Sequence, residues 1–424
     1  MRSHTEHAEV VAALISRALD EVRSAAPETL PIGSAALSGR IVARDVAAAI
    51  ALPPFDNSQM DGYAVRAADF AGPGPFSFRV GVTAAAGDAP VDLEPGSVSP
   101  VMTGAPIPHG ADSVIPIEAA DPPVFSGLRR SGDPNPDGPA PSVSFTEAPQ
   151  AGAYVRGRGS DHAAGAPLVT AGTRLRPTTV GLLASAGVVE VPVRRRPRVL
   201  LVSTGDEVTE PGEPLAPGRI YDANAPLLAA ALREAGAEVT PRRVVDHADE
   251  LRALIAELGP EHDVLVTSGG ISAGAFEVVR DALERDATAP SITFTGIALQ
   301  PGGPQGAGTV TVGGRDLATL CFPGNPVSSA LSAELFLLPL LRAFAGLPEH
   351  GERSTARLAH AVNSPEHKHQ VRRGRFTADG TVELTPPSSH LLADLAAAEL
   401  LAHIPVGVAH LPTGSPIEIQ RFDV

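Results

Sequence analysis

Apolar residues recur at helical spacing near the start of the chain and predict one amphipathic helix. The residues that form this apolar stripe are Val10, Val11, Leu14, Ile15, Ala18, Leu19 and Val22. The helix is expected to end near Pro27, because proline cannot continue the helical hydrogen-bond pattern. A stripe of this kind needs an apolar surface, so we expect the helix to cover a neighbouring layer.

Short β-like runs interrupted by proline and glycine occupy residues 51–154 and predict an all-β insertion. On either side of the insertion, residues 29–46 and 188–193 have the pattern of short strands and could form one small domain despite their separation. The stretch 131–142 carries almost no side chain that can pack, so it is predicted to be a mobile loop.

Strands alternate with helices from Arg198 onward, which predicts a parallel sheet with helices on both faces. The predicted segments are strand 198–203, helix 226–236, strand 239–245, helix 248–259, strands 263–268 and 317–322, and helix 327–345. The last seventy or so residues return to short strands and turns, which indicates a separate β domain.

The length of 424 residues exceeds what one hydrophobic core usually serves, so several domains are expected. The 48 acidic and 33 basic residues leave a net charge of -15, which argues against nucleic acid as the main partner. Cys321 is the only cysteine, so no intrachain disulfide is possible. The sequence has neither an apolar signal core nor a long apolar run, so we expect a cytoplasmic protein without a membrane partner.

Three polar loops follow predicted strands, where ligands gather in open α/β sheets. Residues 203–207, S-T-G-D-E, also suit an ordinary strand-to-helix turn. Residues 267–274, T-S-G-G-I-S-A-G, offer hydroxyls and backbone N–H groups to a phosphate or oxyanion, although a glycine-rich loop alone is a weak signal. Residues 323–326, P-G-N-P, place Asn325 to cap a helix, and alone they suit a structural helix start.

The β insertion and the chain leaving it contain three further polar motifs. They are F-D-N-S-Q-M-D-G-Y-A at 55–64, M-T-G-A-P-I-P at 102–108 and R-G-R-G-S-D at 156–161. Asp61 in the first motif is a candidate functional carboxylate, but it could serve only to tie down its loop. The third motif equally suits a solvated charge cluster.

The order of these motifs resembles the molybdopterin molybdotransferases, a family also met as one half of gephyrin. The matching segments also include S-T-G-D-E, G-R-I-Y-D-A-N, S-G-G-I-S-A-G and F-P-G-N-P-V-S-S, and they cover nearly the whole chain. The resemblance implies an elongated homodimer of four-domain subunits. The implied domains are a molybdopterin-binding three-layer α/β/α domain (1–26 and 195–345), a small joining domain (27–50 and 155–194), an all-β insertion (51–154) and a C-terminal β barrel (346–424).

The resemblance also implies an activity, a transferase that inserts molybdate into adenylylated molybdopterin, releases AMP and yields molybdenum cofactor. Mg²⁺ would assist, and a molybdopterin adenylyltransferase would supply the pterin. The substrates would meet in a cleft between the α/β domain of one subunit and the β insertion of the other. Such a site needs an anion cradle and carboxylates that hold a metal and position water.

The resemblance assigns roles residue by residue. The catalytic candidates are Asp61, Thr103, Asp161, Asp206, Glu207 and Asp246, of which Asp206 and Glu207 are also the candidate metal ligands. The candidates for binding pterin, phosphate and molybdate are Ser203, Thr204, Gly205, Asn224, Ser268, Gly269, Gly270, Ser272, Pro301, Pro323, Gly324, Asn325, Pro326, Ser328, Arg373 and Ser389.

The sequence departs from the family where two anion-binding lysines usually flank a Pro-Gly pair. In place of K-P-G-K-P it has Q-P-G-G-P at 300–304. Lys368 is the only lysine in a chain rich in arginine, yet neither position is arginine, so the charge itself is absent. Molybdate affinity is expected to fall, because each lost charge-assisted hydrogen bond contributes roughly 1.5–3 kcal/mol.

Two further features bear on this loss. Glu277 stands where the family tends to have aspartate, which is a milder change. Arg373, in the basic stretch 368–375, could partly compensate, because a guanidinium binds a tetrahedral oxyanion bidentately. The same basic stretch also suits a solvated hairpin.

More than one function stays open from the sequence. Asp61, Asp206, Glu207 and the P-G-N-P-V-S motif favour an active transferase. Gln300 and Gly303 favour a divergent paralogue that binds or delivers the pterin or the cofactor without inserting metal. Adenylyl transfer to molybdopterin is a third alternative, which the full-length β insertion and C-terminal barrel disfavour.

Overall fold

The chain folds into two compact units. The computed structural model describes residues 1–133, 140–245, 247–271, 277–284, 288–289 and 291–422. The first unit consists of Met1–Glu28, Gly39–Ile41 and the described chain from Val193 onward, and the second consists of Thr29–Ser38 and Val42–Pro192.

A six-stranded sheet forms the centre of the first unit. Its strands, from edge to edge, are Glu238–Val244, Arg198–Thr204, Val264–Ser268, Arg315–Phe322, Pro304–Val312 and Thr293–Gly296. The first four are parallel, as the alternation of strands and helices predicts. The last two are antiparallel to their neighbours. Gly313 and Gly314, both with positive φ, make a two-residue hairpin turn that reverses the chain beside itself.

Helices cover both faces of this sheet. They are His4–Ser24, Asn224–Glu234 and Pro326–Phe344 on one face, and Ala248–Leu258 and Val278–Leu283 on the other. Alternate residues of the strand Arg198–Thr204 separate accordingly, because successive side chains of a strand point to opposite faces. Val199 and Leu201 belong to one apolar core, and Leu200 and Val202 belong to the other.

The first helix ends at Ser24, near the predicted end at Pro27, and it begins with a capping box. Ser3 Oγ accepts a hydrogen bond from the Glu6 N–H at 3.1 Å, and the Glu6 carboxylate accepts one from the Ser3 N–H at 2.8 Å. This reciprocal capping satisfies two backbone donors that the helix leaves unpaired. Of the predicted stripe, Val11, Ile15, Ala18, Leu19 and Val22 are buried in the core, Leu14 is partly buried, and Val10 is 40% exposed.

The helix Pro326–Phe344 is the most apolar long helix among the described residues. It contains one π turn at Ala333–Leu337. By length and composition it could cross a membrane, but 72% of its apolar window is buried inside the protein. It is therefore a core helix of the first unit.

Cys321 lies on the strand Arg315–Phe322 and is fully buried. Burial raises the pKa of its thiol to about 12, although a hydrogen bond with Thr267 acts in the opposite direction. The thiolate is the reactive form of cysteine. Cys321 is therefore inert while the chain is folded.

A second sheet in the first unit is nearly closed into a barrel. Its strands, in order, are Leu299–Gln300, His369–Phe376, Leu400–Ile404, Pro416–Arg421 and Arg353–Arg357, with Val382–Leu384 beside His369–Phe376. A bridge between Leu358 and Val382 joins the two sides of the opening. Val371 and Leu401 of the barrel belong to an apolar core of the first sheet, so the barrel packs against that sheet.

A buried row of histidines lies where the first helix meets the barrel. His4 stacks on His369 with ring centroids 4.0 Å apart, and His369 Nε2 lies 3.1 Å from His403 Nδ1. Burial and the neighbouring His4 and His403 charges lower the pKa of His369 to about 3. Burial, Arg353 and two nearby histidines lower the pKa of His403 to about 4. Both rings are therefore neutral at pH 7.

These histidines predict a loss of stability in mild acid. Their folded-state pKa values lie below the ordinary 6.5, so protonation favours the unfolded chain. The free energy of unfolding therefore keeps its full value above pH 6.5, where these histidines are neutral in both states. It falls as the pH drops from 6.5 toward the folded-state pKa values. We expect each neutral histidine to cost about 2 kcal/mol between pH 6.5 and about pH 5. Urea unfolding at several pH values measures this slope.

The matched variants are His403→Asn and His367→Asn, since His403 is buried and His367 is exposed. The first should flatten the dependence of the unfolding free energy on pH, and the second should leave it unchanged. An identical slope in both variants would contradict the assignment.

The second unit is built on another six-stranded sheet. Its strands, in order, are Ser113–Pro116, Gly62–Val65, Ser97–Val101, Phe76–Val80, Ser142–Phe145 and Ala120–Asp121. Tyr63, Phe70 and Phe145 pack together in its core. The strands are short, as the runs between proline and glycine predict.

The two stretches that flank this sheet in the sequence lie together. Glu28–Pro31 pairs with Glu190–Val193, as the strand patterns at 29–46 and 188–193 suggest. Half of the predicted loop at 131–142, residues 134–139, lies outside the described residues.

Candidate functional site

A cavity of about 500 Å³ opens at the carboxyl ends of the parallel strands in the first unit. Its wall contains residues from all three predicted polar loops, together with Asn224. The predicted site residues in this wall are Ser203, Thr204, Gly205, Glu207, Asn224, Gly269, Gly270, Pro323, Gly324, Asn325, Pro326 and Ser328. The volume suits a ligand of cofactor size.

The first loop begins at the end of the strand Arg198–Thr204. Ser203 Oγ donates a hydrogen bond to Asp222 Oδ2 at 2.7 Å, and both residues are buried. The other oxygen of Asp222 accepts from the Ala225 N–H at 3.0 Å, in the first turn of the helix Asn224–Glu234. Asp222 therefore joins the end of the strand to the start of this helix.

The second loop requires glycine because it passes very close to the first. Gly269 has φ +98°, and a Cβ atom there would lie 2.8 Å from Thr204 Oγ1 and 2.9 Å from the Thr204 carbonyl oxygen. A side chain at Gly270 would lie 2.9 Å from the Val279 backbone nitrogen. The loop thus presents bare backbone to the cavity, which suits close approach by a phosphate or oxyanion.

The third loop starts the helix Pro326–Phe344 as its sequence predicts. Asn325 Oδ1 accepts hydrogen bonds from the N–H groups of Val327 at 3.1 Å and Ser328 at 3.3 Å. Asn224 Nδ2 donates to the Gly324 carbonyl oxygen at 2.7 Å, which also fixes the orientation of this amide. Asn224 Oδ1 is buried without a hydrogen-bond partner in the described chain. A ligand in the cavity could supply that partner.

Three carboxylates line the cavity, those of Glu207, Asp222 and Glu277. The described part of the wall contains no lysine or arginine. No group of three or more His, Cys, Asp or Glu side chains in the described chain could hold a metal ion by itself. Mg²⁺ at phosphate sites usually takes one or two carboxylates and completes its shell with phosphate oxygens and water. Glu207 and the unpaired Asn224 oxygen fit that pattern.

Five further predicted residues are not part of the described cavity wall. Asp206 is exposed, and its carbonyl oxygen accepts a hydrogen bond from Arg219. Ser268 is buried, with its Oγ 3.3 Å from Ser329 Oγ. Pro301 is also buried outside the wall. Asp246 and Ser272 lie outside the described residues.

The second unit brings Asp61 and Thr103 together. Asp61 Oδ1 accepts hydrogen bonds from the Thr103 N–H at 2.7 Å and from Thr103 Oγ1 at 2.9 Å. Asp61 therefore anchors the turn that carries Thr103, which is the simpler role that its sequence allows. Asp161 is exposed, and its N–H donates to the Leu52 carbonyl oxygen at 2.9 Å.

The residue that stands in place of the first family lysine has a partner of its own. Gln300 Oε1 accepts a hydrogen bond from Gln370 Nε2 at 2.7 Å, and Gln370 is 1% exposed on a barrel strand. Gln300 thus connects the Q-P-G-G-P segment to the barrel. A neutral amide pair occurs where the family pattern has a cation.

Two arginines of the basic stretch near the C-terminus, Arg372 and Arg373, are buried rather than solvated, whereas Arg375 is exposed. Arg373 is 0% exposed, and its Nη2 donates to the carbonyl oxygens of Pro386 at 3.0 Å and Ser388 at 2.9 Å. Its Nε and Nη1 are buried without a hydrogen-bond partner in the described chain. Burial lowers the pKa of Arg373 and, with the Arg373 charge, lowers that of Arg372 to about 10. Ser389 follows in the loop that receives Arg373.

Tyr221 and Asp222 are among the residues of the cavity wall that the sequence patterns do not single out. Both belong to the segment G-R-I-Y-D-A-N, of which only Asn224 was assigned a role. This segment leads into the helix Asn224–Glu234 in the crossover that follows the parallel strand Arg198–Thr204, and that position is the signal that indicates them.

Two family models match most of the chain. Residues 3–187 match the MoeA N-terminal region (domain I and II), and residues 200–343 match a probable molybdopterin binding domain. Among solved structures, a molybdopterin biosynthesis MoeA protein from Pyrococcus horikosii aligns with a TM-score of 0.72 at 30% identity, covering 96% of this chain and 98% of that one. The chain therefore shares the multidomain MoeA-like fold.

Curated relatives match over almost their whole length. The chain is 38% identical over 430 residues to molybdopterin molybdenumtransferase 2 of Mycobacterium tuberculosis, with 99% of each chain covered. It is 35% identical over 392 residues to the molybdopterin molybdenumtransferase of Synechococcus elongatus, with 90% of this chain and 92% of that one covered. The chain therefore belongs to the molybdopterin molybdenumtransferase family.

Proposed function

We propose that the chain is a molybdopterin molybdenumtransferase, which inserts molybdate into adenylylated molybdopterin with release of AMP to give molybdenum cofactor. The observation that supports this most directly is the convergence of three polar loops on one cavity, in a chain 38% identical over its full length to a transferase of that name. The cavity is bordered by bare backbone and hydroxyls, as an anionic substrate requires.

In the proposed reaction, water attacks the phosphoanhydride bond, so that AMP leaves and the pterin phosphate is freed. Two molybdenum–sulfur bonds form while the two dithiol protons and one oxide ligand of molybdate leave as water, without change of oxidation state. The backbone of Gly269 and Gly270, with Thr204 and Ser328, would hold the pterin phosphate. Pro323 to Ser328 would form the floor for molybdate.

Acidic residues would position the attacking water and the phosphates. Glu207, with Asp206 beside it in sequence, would hold Mg²⁺ against the phosphate oxygens. Bound there, Mg²⁺ would neutralise phosphate charge, which the carboxylates of the wall cannot do. Asp61 and Thr103, with Asp161 and Asp246, would complete the catalytic set.

The proposal includes an anion-binding role for Arg373. It is fully buried, yet two of its guanidinium nitrogens, Nε and Nη1, have no hydrogen-bond partner in the described chain. Leaving buried donors of a charged group unpaired is costly, so a bound oxyanion would relieve this cost. Ser389 lies in the same loop and would contribute to that subsite.

The proposal also covers the oligomeric state, the localisation and the partners of the protein. Each subunit would have the four domains predicted from the sequence, and two subunits would pair so that the β insertion of one closes the cavity of the other. The protein would act in the cytoplasm, receive its pterin from a molybdopterin adenylyltransferase, and use neither a nucleic acid nor a membrane partner.

Complementation tests the proposal. The chain would be expressed in cells that lack their own molybdotransferase, and a molybdoenzyme would be assayed at ordinary molybdate. Rescue by the wild-type chain, with loss of rescue in Asp61→Asn at equal soluble protein, is the expected result. Failure of the wild-type chain even at high molybdate would overturn it.

That failure would support a second candidate, a paralogue that binds or delivers the pterin or cofactor without inserting metal. The neutral Gln300–Gln370 pair is the observation that favours it, because an oxyanion site without these cations binds molybdate less tightly.

Restoring the charge distinguishes the two candidates. We expect the double variant Gln300→Lys and Gly303→Lys to lower the molybdate concentration needed for half-maximal activity by about tenfold or more, since each charge-assisted hydrogen bond contributes roughly 1.5–3 kcal/mol. Activity titrated with molybdate measures this shift, and a Gln300→Met with Gly303→Met variant controls for side-chain size. No shift in the lysine variant would indicate that the compensation lies elsewhere, as at Arg373.

A further inference from the structure

Tyr221 is an exposed aromatic residue in the wall of the cavity. The chain has three tyrosines and no tryptophan. Tyr63 is 0% exposed in the core of the second unit, whereas Tyr221 is 46% exposed and lines the cavity. An aromatic residue is therefore partly exposed in the same wall as the glycine loop, in a chain where aromatic residues make up 4%.

The ring of Tyr221 is held at both ends. Its backbone belongs to the short strand Ile220–Tyr221, which pairs with Val208–Thr209, and the Asp222 N–H donates to the Thr209 carbonyl oxygen at 2.9 Å. At the other end, the Tyr221 hydroxyl donates to the Glu213 carbonyl oxygen at 3.0 Å. This anchoring leaves the faces of the ring as its free surfaces.

Those faces have no aromatic or cationic partner among the described residues. The polar part of the wall also cannot account for affinity alone, since it carries three carboxylates and, within the described chain, no lysine or arginine. A rigid aromatic face stabilises a planar nitrogen heterocycle by stacking, largely independent of charge. The wall therefore has a surface for a flat ring beside its surface for phosphate.

We infer that Tyr221 is a substrate-positioning residue whose ring stacks on a planar nitrogen heterocycle of the substrate. This inference rests on the proposed function, because adenylylated molybdopterin carries two such rings, adenine and pterin. Stacking would hold one ring while the phosphates lie against the glycine loop.

Calorimetric titration of the full chain with two probes tests the inference and identifies the ring. The probes are AMP and 6-hydroxymethylpterin, each in the presence of Mg²⁺, and the variants are Tyr221→Phe and Tyr221→Leu. We expect Tyr221→Leu to weaken binding of one probe by about tenfold or more and Tyr221→Phe to stay within about threefold of wild type. Leu215→Ala is the matched control, since Leu215 is exposed in the loop 210–219 without lining the cavity.

Steady-state kinetics with adenylylated molybdopterin supply a second readout. Tyr221→Leu should raise KM with little change in kcat, which a general loss of folding would not do. The inference is overturned if Tyr221→Leu binds both probes as wild type does, or if the wild-type chain binds neither probe at millimolar concentration. An inactive wild-type chain that still shows the Tyr221 dependence would overturn the proposed reaction and leave the stacking role supported.

Discussion

Replacing Asp263 by alanine is expected to destabilise the first unit by about 3–5 kcal/mol, the usual effect of breaking a buried ion pair. Asp263 is 2% exposed. Its carboxylate accepts hydrogen bonds from Arg195 at 2.6 and 2.8 Å and from the Arg198 N–H at 2.8 Å. Arg315 lies 3.6 Å away. The substitution would leave a partly buried guanidinium and a backbone donor unpaired.

Asp316→Ala is the control for this experiment. Asp316 is 41% exposed and lies 3.8 Å from Arg17, which is itself 71% exposed. Exposed pairs contribute about 0–1 kcal/mol, so this variant should unfold almost as the wild-type chain does. The midpoint and slope of urea unfolding measure both variants. If Asp263→Ala and Asp316→Ala lowered the free energy of unfolding equally, burial would not be what makes the Asp263 contacts strong.

Gly269→Ala is expected to lower kcat/KM by about 100-fold, the effect that a displacement of about 1 Å has on a positioned substrate. The added methyl group would meet the backbone carbonyl oxygen of Thr204 at 2.9 Å, and φ at this position is +98°. Thr204 ends a strand that is paired on both sides, so it cannot move away without disturbing the sheet. The loop must therefore shift, and with it the predicted phosphate cradle.

Gly380→Ala separates this effect from backbone strain alone. Gly380 has φ +80°, but a Cβ atom there would have no neighbour within 4 Å. The Gly380→Ala variant should have a somewhat lower free energy of unfolding than the wild-type chain and the same kcat/KM. The measurement combines kinetics with adenylylated molybdopterin and molybdate with urea unfolding of the same preparations. Wild-type kinetics in Gly269→Ala would exclude a positioning role for the loop.

The loops at the carboxyl ends of the strands could be predicted from the sequence. Parallel strands end at one edge of a sheet, and short polar segments at that edge commonly bind ligands. Asn325 is an example, since the order P-G-N-P predicts both its helix cap and its place beside the cavity. The two antiparallel strands, Thr293–Gly296 and Pro304–Val312, were not predicted from the sequence. Gly313 and Gly314 form the hairpin turn that joins the second of them to Arg315–Phe322.

Contacts between distant segments could not be predicted. Arg373 lies in a stretch as polar as any exposed hairpin, and its burial depends on carbonyl oxygens at Pro386 and Ser388 that only the folded loop provides. The stacking of His4 on His369 joins residues at opposite ends of the chain. Periodicity describes each segment by itself and carries no information on such pairs.

The burial of Cys321 makes this chain well suited to distance measurements by spin labelling. Because its single native thiol is unreactive when folded, a cysteine introduced at Val189, which is 75% exposed, would carry the only nitroxide on each chain. A monomer would then contain one unpaired electron and a homodimer two. Dipolar spectroscopy of the labelled protein would report a single distance for a symmetric pair and none for separate chains.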